Sequence, residues 1–239
     1  MKEIELINEI VNYFEKNIFT NHIEASINKH SKLKSYKINP ILVKYLSKVL
    51  ENDYNSEGVA KALFYPRVLG TSINTSFGTQ IQKMFVELEM ATGAYTKKLD
   101  IEFIDKVDQR KKFCQLKSGP MTLNSGDVKP LMDKFAETIR LAKTNYAMRG
   151  ISNTDFIVGV LYGDDSDLSE HYMKIDKTYP VIVGKEFWYR LTGYPKFYDS
   201  LVIKLHQSIN KIDTKNLINK GYEELEKEIK DSKYFNFRN

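Results

Sequence analysis

The chain has 239 residues, 42% of them hydrophobic and 28% charged, which supplies enough apolar material for a buried core and excludes wholesale disorder. A formal charge of +5 permits a polyanionic partner without establishing one. The single cysteine, Cys114, excludes an intramolecular disulfide, and the four histidines (His22, His30, His171 and His206) have no zinc-ligand spacing.

Ile4, Ile7, Ile10, Val11, Phe14 and Ile18 recur at three- and four-residue steps and predict an amphipathic first helix ending near Asn21. Because these apolar residues are spaced rather than continuous, the opening reads as neither a signal peptide nor a membrane span, and the cytoplasm is the expected location. Asn39-Pro40 opens a second helix through Leu50, with asparagine as N-cap and proline at the first helical position. Ser56-Glu57 starts a third, which Pro66 is expected to stop. A fourth, from about Phe77 to Thr92, places Phe77, Ile81, Met84, Phe85 and Leu88 on one face and is expected to end at Gly93.

The period changes after residue 96. In "KLDIEFI", Leu99, Ile101 and Phe103 alternate with Asp100 and Glu102, as in a strand; "DKVDQRKK" is a polar turn and "KFCQLKS" the returning strand. A helix is expected from about Ser125, followed by buried strands in "DFIVGVLYG" and "YPVIVG", a weaker strand at "HYMKI", a short helix at "GKEFWYRLTG" and two closing helices. This order predicts an α/β or α+β fold, with a central mixed β-sheet flanked by helices. Residues 1–66 form a helical N-terminal region packed on a core of residues 67–239, either as a separate lobe or as part of one domain.

Four polar residues in the hairpin suggest chemistry. Asp100 and Glu102 project from one face of the first strand, and Gln115 and Lys117 from one face of the second. Carboxylates and an amide carbonyl are hard oxygen donors suited to Mg2+, and a lysine beside them can hold a water and offset charge on a phosphorus oxygen. The alternative is a solvated hairpin face. The apolar run around Phe113, Cys114 and Leu116 favours a buried strand, where a lysine needs a partner.

With "LDIEF", "FCQLKSGP" and "LNSGDVKPLMDKF", together with the preceding "NTSFGTQIQK" helix, the sequence resembles the PD-(D/E)XK nuclease superfamily. More closely, it resembles a branch of type II restriction endonucleases that cut interrupted palindromes with a GGNCC-type core, over roughly residues 67 to 192. The resemblance implies a PD-(D/E)XK nuclease core, a Mg2+ cofactor, cleavage of double-stranded DNA to 5′-phosphate ends and functional pairing with a cognate DNA methyltransferase. It makes Asp100 the metal-binding aspartate, puts Gln115 in the glutamate position, and makes Lys117 the catalytic lysine. Gln115 brings no negative charge, so a further carboxylate is sought. Glu102 is the nearest metal-ligand candidate, with Glu87 and Glu89 as others.

A palindromic site is most simply read by a homodimer. On the helix after the hairpin, Lys129, Arg140 and Lys143 fall on one side and form a candidate phosphate-binding edge, with Ser118, Asn124, Ser125 and the helix N-terminus as neutral donors. Arg67, Thr71, Ser72, Asn74 and Thr79 are further candidate DNA contacts. "GDDSDLSE" reads as a solvated turn, and Trp188 and Tyr189 as core aromatics. Two other activities stay open: a repair or junction-resolving nuclease of the same fold, and a non-catalytic DNA-binding homologue that has lost its metal site.

Overall fold

The computed structural model describes residues 2–94, 99–144, 150–211 and 213–237, with the side chains of residues 22, 71–76, 143 and 144 outside that description. The chain divides into two compact units, one of residues 1–12 and 78–207 and the other of residues 13–77 and 208–239. The division differs from a split at residue 66, because the C-terminal helix joins the helical unit.

The first unit is built on a five-stranded sheet in the order β1 (Thr92–Gly93), β2 (Ile101–Ile104), β3 (Lys111–Lys117), β4 (Phe156–Val160) and β5 (Val181–Val183). β1, β2 and β3 run antiparallel, whereas β3, β4 and β5 run parallel, so the sheet is mixed as expected. The register sets Ile101 opposite Cys114 and Glu102 opposite Phe113.

Helices cover both faces, which explains why β4 is apolar throughout. On one face, Phe113, Phe156, Val158 and Val160 pack with Leu131, Phe135 and Ile139 of the long helix Ser125–Thr144, and with Tyr172 and Ile175 of the helix Glu170–Asp176. On the other, Phe187 and Trp188 of the helix Gly184–Thr192 meet Phe85, and Phe187 also meets Phe103. Gly184 has φ +52°, and a Cβ there would overlap the Gly163 carbonyl, so only glycine allows this close entry into the helix.

The second unit is helical. Its core joins Ile23 and Ile27, Val43, Val59 and Phe64, and Leu225 and Ile229 of the helix Lys215–Asp231. Asn39 caps the helix Pro40–Glu51 as expected, its side chain accepting from the amides of Ile41 and Leu42.

Several expected boundaries are corrected. Asn21 does not end a helix: the chain passes from Glu3–Tyr13 through a π turn, Phe14–Thr20, into the helix Asn21–His30, because Ile23 and Ile27 continue a buried apolar face. Pro66 ends its α-helix, Ser56–Pro66, as expected, but the helical course continues beyond it: a π turn over Arg67–Thr71 follows, and the next helix is Ser72–Glu87. That helix ends six residues before Gly93, which instead forms β1 with Thr92. "HYMKI" is helical, with Tyr172 and Ile175 three residues apart on its buried side. Trp188 is buried as expected, donating Nε1–H to the Leu161 carbonyl, and "GDDSDLSE" forms an exposed 3-10 turn.

Candidate active site

The returning strand of the hairpin aims its polar side chains as its alternation requires. Gln115 and Lys117 are half-buried on one face, and Asp100, just ahead of β2, reaches them because its amide extends the ladder by donating to the Cys114 carbonyl. One Asp100 oxygen, Oδ2, accepts the Leu116 amide at 2.7 Å and the side-chain amide of Gln115. Burial pushes the Asp100 carboxyl above its ordinary range; the Leu116 amide, the charges of Lys134 and Lys117, and the Gln115 amide pull it back.

Lys134 is the residue that sequence reasoning missed. It comes from the helix Ser125–Thr144, and its Nζ donates to Gln115 Oε1 at 2.8 Å. The signal was a lysine at the edge of the apolar face, one position before the fully buried Phe135, but only the packing of that helix on β3 shows where the ammonium points. The Lys117 carbonyl accepts the Leu161 amide at 3.1 Å, but its ammonium makes no hydrogen bond or ion pair among the described residues and is available to a ligand. The four side chains carry one negative and two positive charges.

The abrupt Ser-Gly-Pro after β3 also has a cause. The Gly119 carbonyl accepts from the Tyr172 hydroxyl at 2.9 Å and from Thr122 Oγ1 at 2.8 Å, and the Pro120 carbonyl accepts the Ser169 amide at 3.2 Å. A Cβ on Gly119 would overlap the ring of Tyr162. The turn is thereby pinned beside the end of the strand that carries Lys117.

The structure does not bring Glu102 into this group. It lies opposite Phe113, two residues down the strand from Gln115, and its buried carboxylate pairs with Lys111 at 2.6 Å. Glu87 and Glu89 are exposed, at and just beyond the end of their helix. Among the described residues no cluster of three or more histidine, cysteine or acidic side chains is arranged to hold a metal. The oxygens of the group that could serve a cation are the Asp100 carboxylate and the Gln115 carbonyl, the latter accepting from Lys134. That sparse set suits an ion that keeps its waters and shares oxygens with a substrate phosphate.

Of the candidate phosphate contacts, Arg140 is exposed and without a partner among the described residues, whereas Lys129 pairs with Asp133 at 2.6 Å. Asn124 and Ser125 are exposed at the helix start, where the Asn124 amide donates to Asp127 Oδ2 at 3.2 Å. Ser118 is half-buried beside Lys117, and Thr79 is exposed. Arg67 is exposed in the helical unit. The side chains of Thr71, Ser72, Asn74 and Lys143 lie outside the described residues.

A family model described as type II restriction endonuclease EcoO109I matches residues 8–213, which is most of the chain. The chain belongs to this family. No curated protein matches it. In this restriction endonuclease the mixed sheet and its flanking helices place the Asp100–Gln115–Lys117 group within the matched segment. No helix among its described residues is long and apolar enough to cross a membrane.

Proposed function

We propose that the protein is a Mg2+-dependent type II restriction endonuclease with a PD-(D/E)XK site, hydrolysing both strands of double-stranded DNA at a short palindrome of GGNCC-type core. The observation that carries this reading is the meeting of Asp100, Gln115 and Lys117 at the end of one buried strand, in a chain of this family. A water attacks the phosphorus, the bond from phosphorus to the 3′ oxygen breaks, and the 3′ oxygen takes up a proton, leaving 5′-phosphate and 3′-hydroxyl ends. Asp100 and the Gln115 carbonyl would hold the cation, which would supply Lewis-acid stabilisation of the phosphoryl oxygens. Lys117, with its ammonium unengaged, orients the water and offsets charge on the same oxygens.

Arg140, Lys129, Asn124, Ser125 and Ser118 hold the DNA backbone near the site, with Thr79, Arg67 and Lys143 as further contacts. A homodimer gives one site per strand. The helix Pro40–Glu51 supports that assembly: Ile41, Leu42, Tyr45 and Val49 are between 51% and 83% exposed, an apolar face that a second copy would bury. The enzyme works in the cytoplasm, paired with a DNA methyltransferase that protects the host sites.

Digestion of a plasmid of known sequence in Mg2+, with the ends sequenced, tests the reading. Discrete bands with 5′-phosphate ends are expected, and Lys117→Ala should abolish cleavage while DNA binding persists. A repair or junction-resolving enzyme gives no bands and prefers branched or damaged DNA. Gln115 itself favours one rival, a DNA-binding protein without catalysis, and sequence-specific retention without cleavage in Mg2+ or Mn2+ would establish that instead.

A further inference from the structure

The orientation of the Gln115 amide follows from its neighbours. Its nitrogen faces the Asp100 carboxylate, which can only accept when ionised, and its oxygen faces the Lys134 ammonium, which can only donate. Rotating the amide by half a turn would set oxygen against oxygen and donor against donor. The group is satisfied only as it stands.

A cation shared by Asp100 and Gln115 needs the opposite arrangement. The amide oxygen must turn toward Asp100, which brings the amide hydrogens against Lys134, so the ammonium must leave. Lys134 is half-buried on a helix surface, with a flexible four-carbon stem, and a phosphate oxygen offers it a stronger partner than a neutral amide. Lys117 has no such hold on Gln115.

We propose that Lys134 is a positioning residue that keeps the Gln115 oxygen turned away from the cation site in the free protein, and that a DNA phosphate draws it off, so that divalent-cation binding depends on DNA. The inference rests on the nuclease reading for the identity of the cation and the DNA. It concerns the free protein, however, and its test requires no cleavage.

The test is Mn2+ binding to the full chain without DNA, followed by electron paramagnetic resonance, for the wild type, Lys134→Met and Lys117→Met. Both variants lose one positive charge near Asp100, but only the first frees the amide. Breaking one charge-assisted hydrogen bond corresponds to roughly tenfold in affinity. Lys134→Met should therefore bind Mn2+ about tenfold more tightly than Lys117→Met, and Lys134→Arg should stay near the wild type. Lys134→Ala repeats the measurement should the methionine variant misfold, as judged by circular dichroism. Equal tightening in the two methionine variants, or none with Lys134→Met, overturns the proposal. If the plasmid is not cut but Lys134→Met still tightens Mn2+ selectively, the nuclease reading fails and the Lys134 device stands.

Discussion

Asp155→Asn tests how the hairpin that carries the site is anchored. Asp155 is 2% exposed at the start of β4, and its carboxylate receives Arg110 Nε at 2.6 Å and the Ser152 amide at 2.8 Å, with Lys112 Nζ at 3.6 Å. Lys112 is itself buried and also pairs with Asp108 at 2.6 Å, so the acids and bases at the foot of β3 form one network. Burial opposes ionisation of Asp155, but the Arg110 hydrogen bond, the Ser152 amide and the charges of Arg110 and Lys112 outweigh it, lowering the carboxyl from 3.8 to about 2. A shift of that size contributes about 2 kcal/mol to folding at neutral pH. Because the folded value is depressed, this stabilisation is fully present above the unfolded value and is lost as pH falls through about 2. Urea denaturation should find Asp155→Asn about 2 kcal/mol less stable than the wild type at pH 7, narrowing to about 1 kcal/mol at pH 3 as the unfolded chain's carboxyl, whose ordinary value is 3.8, takes up its proton while the native one stays largely ionised. A gap that stays constant between the two pH values would refute the account, because uncharged packing cannot titrate.

Gly159→Ala should lower stability by about 1–3 kcal/mol, read as a fall in melting temperature, since the new Cβ overlaps the fully buried Phe187 ring and lies 2.9 Å from Cys114 Sγ. Gly119→Ala, whose nearest new neighbour is the half-exposed ring of Tyr162, should cost less than about 1 kcal/mol by the same assay. Arg140→Ala should weaken DNA binding and reduce the slope of log affinity against log salt by about 1, the signature of one lost phosphate contact. Gln115→Glu should lower the Mg2+ concentration needed for half-maximal cleavage by roughly tenfold, by adding a charged ligand; an unchanged requirement would remove Gln115 from the cation site.

The sheet and the central trio were legible because they rest on local periods. Alternation in "DIEF" and "FCQLK" forces Asp100, Gln115 and Lys117 toward one face, and Asn39-Pro40 announces a helix by its own chemistry. What failed depended on tertiary packing. Period two puts Glu102 on the same face as Asp100, but only the register shows it opposite Phe113 and bound to Lys111. "HYMKI" carries strand-like residues, and its helix is decided by where Tyr172 and Ile175 are buried. Pro66 reads as a stop and does end its helix, yet the π turn that follows carries the chain on into the next helix. Lys134 is one of many lysines in the sequence, and no local pattern distinguishes the one whose helix lies over Gln115.

The glutamine in place of the expected acid is best understood through charge. A second carboxylate at position 115 would face Asp100 across a hydrogen-bonding distance, and two such groups cannot both ionise without a cation between them. Glutamine removes that conflict by donating to Asp100, and Lys134 completes its bonding. With Asp100 opposed by Lys117 and Lys134, the cluster has a surplus of one positive charge, which favours a phosphate over a divalent cation as the first arrival. On the proposed reading, each bound phosphate then reverses the balance and supplies the oxygens that the protein lacks. On the same reading, glutamine at position 115 would couple cation capture to the presence of the bond to be cut, at the cost of cation affinity in the free protein.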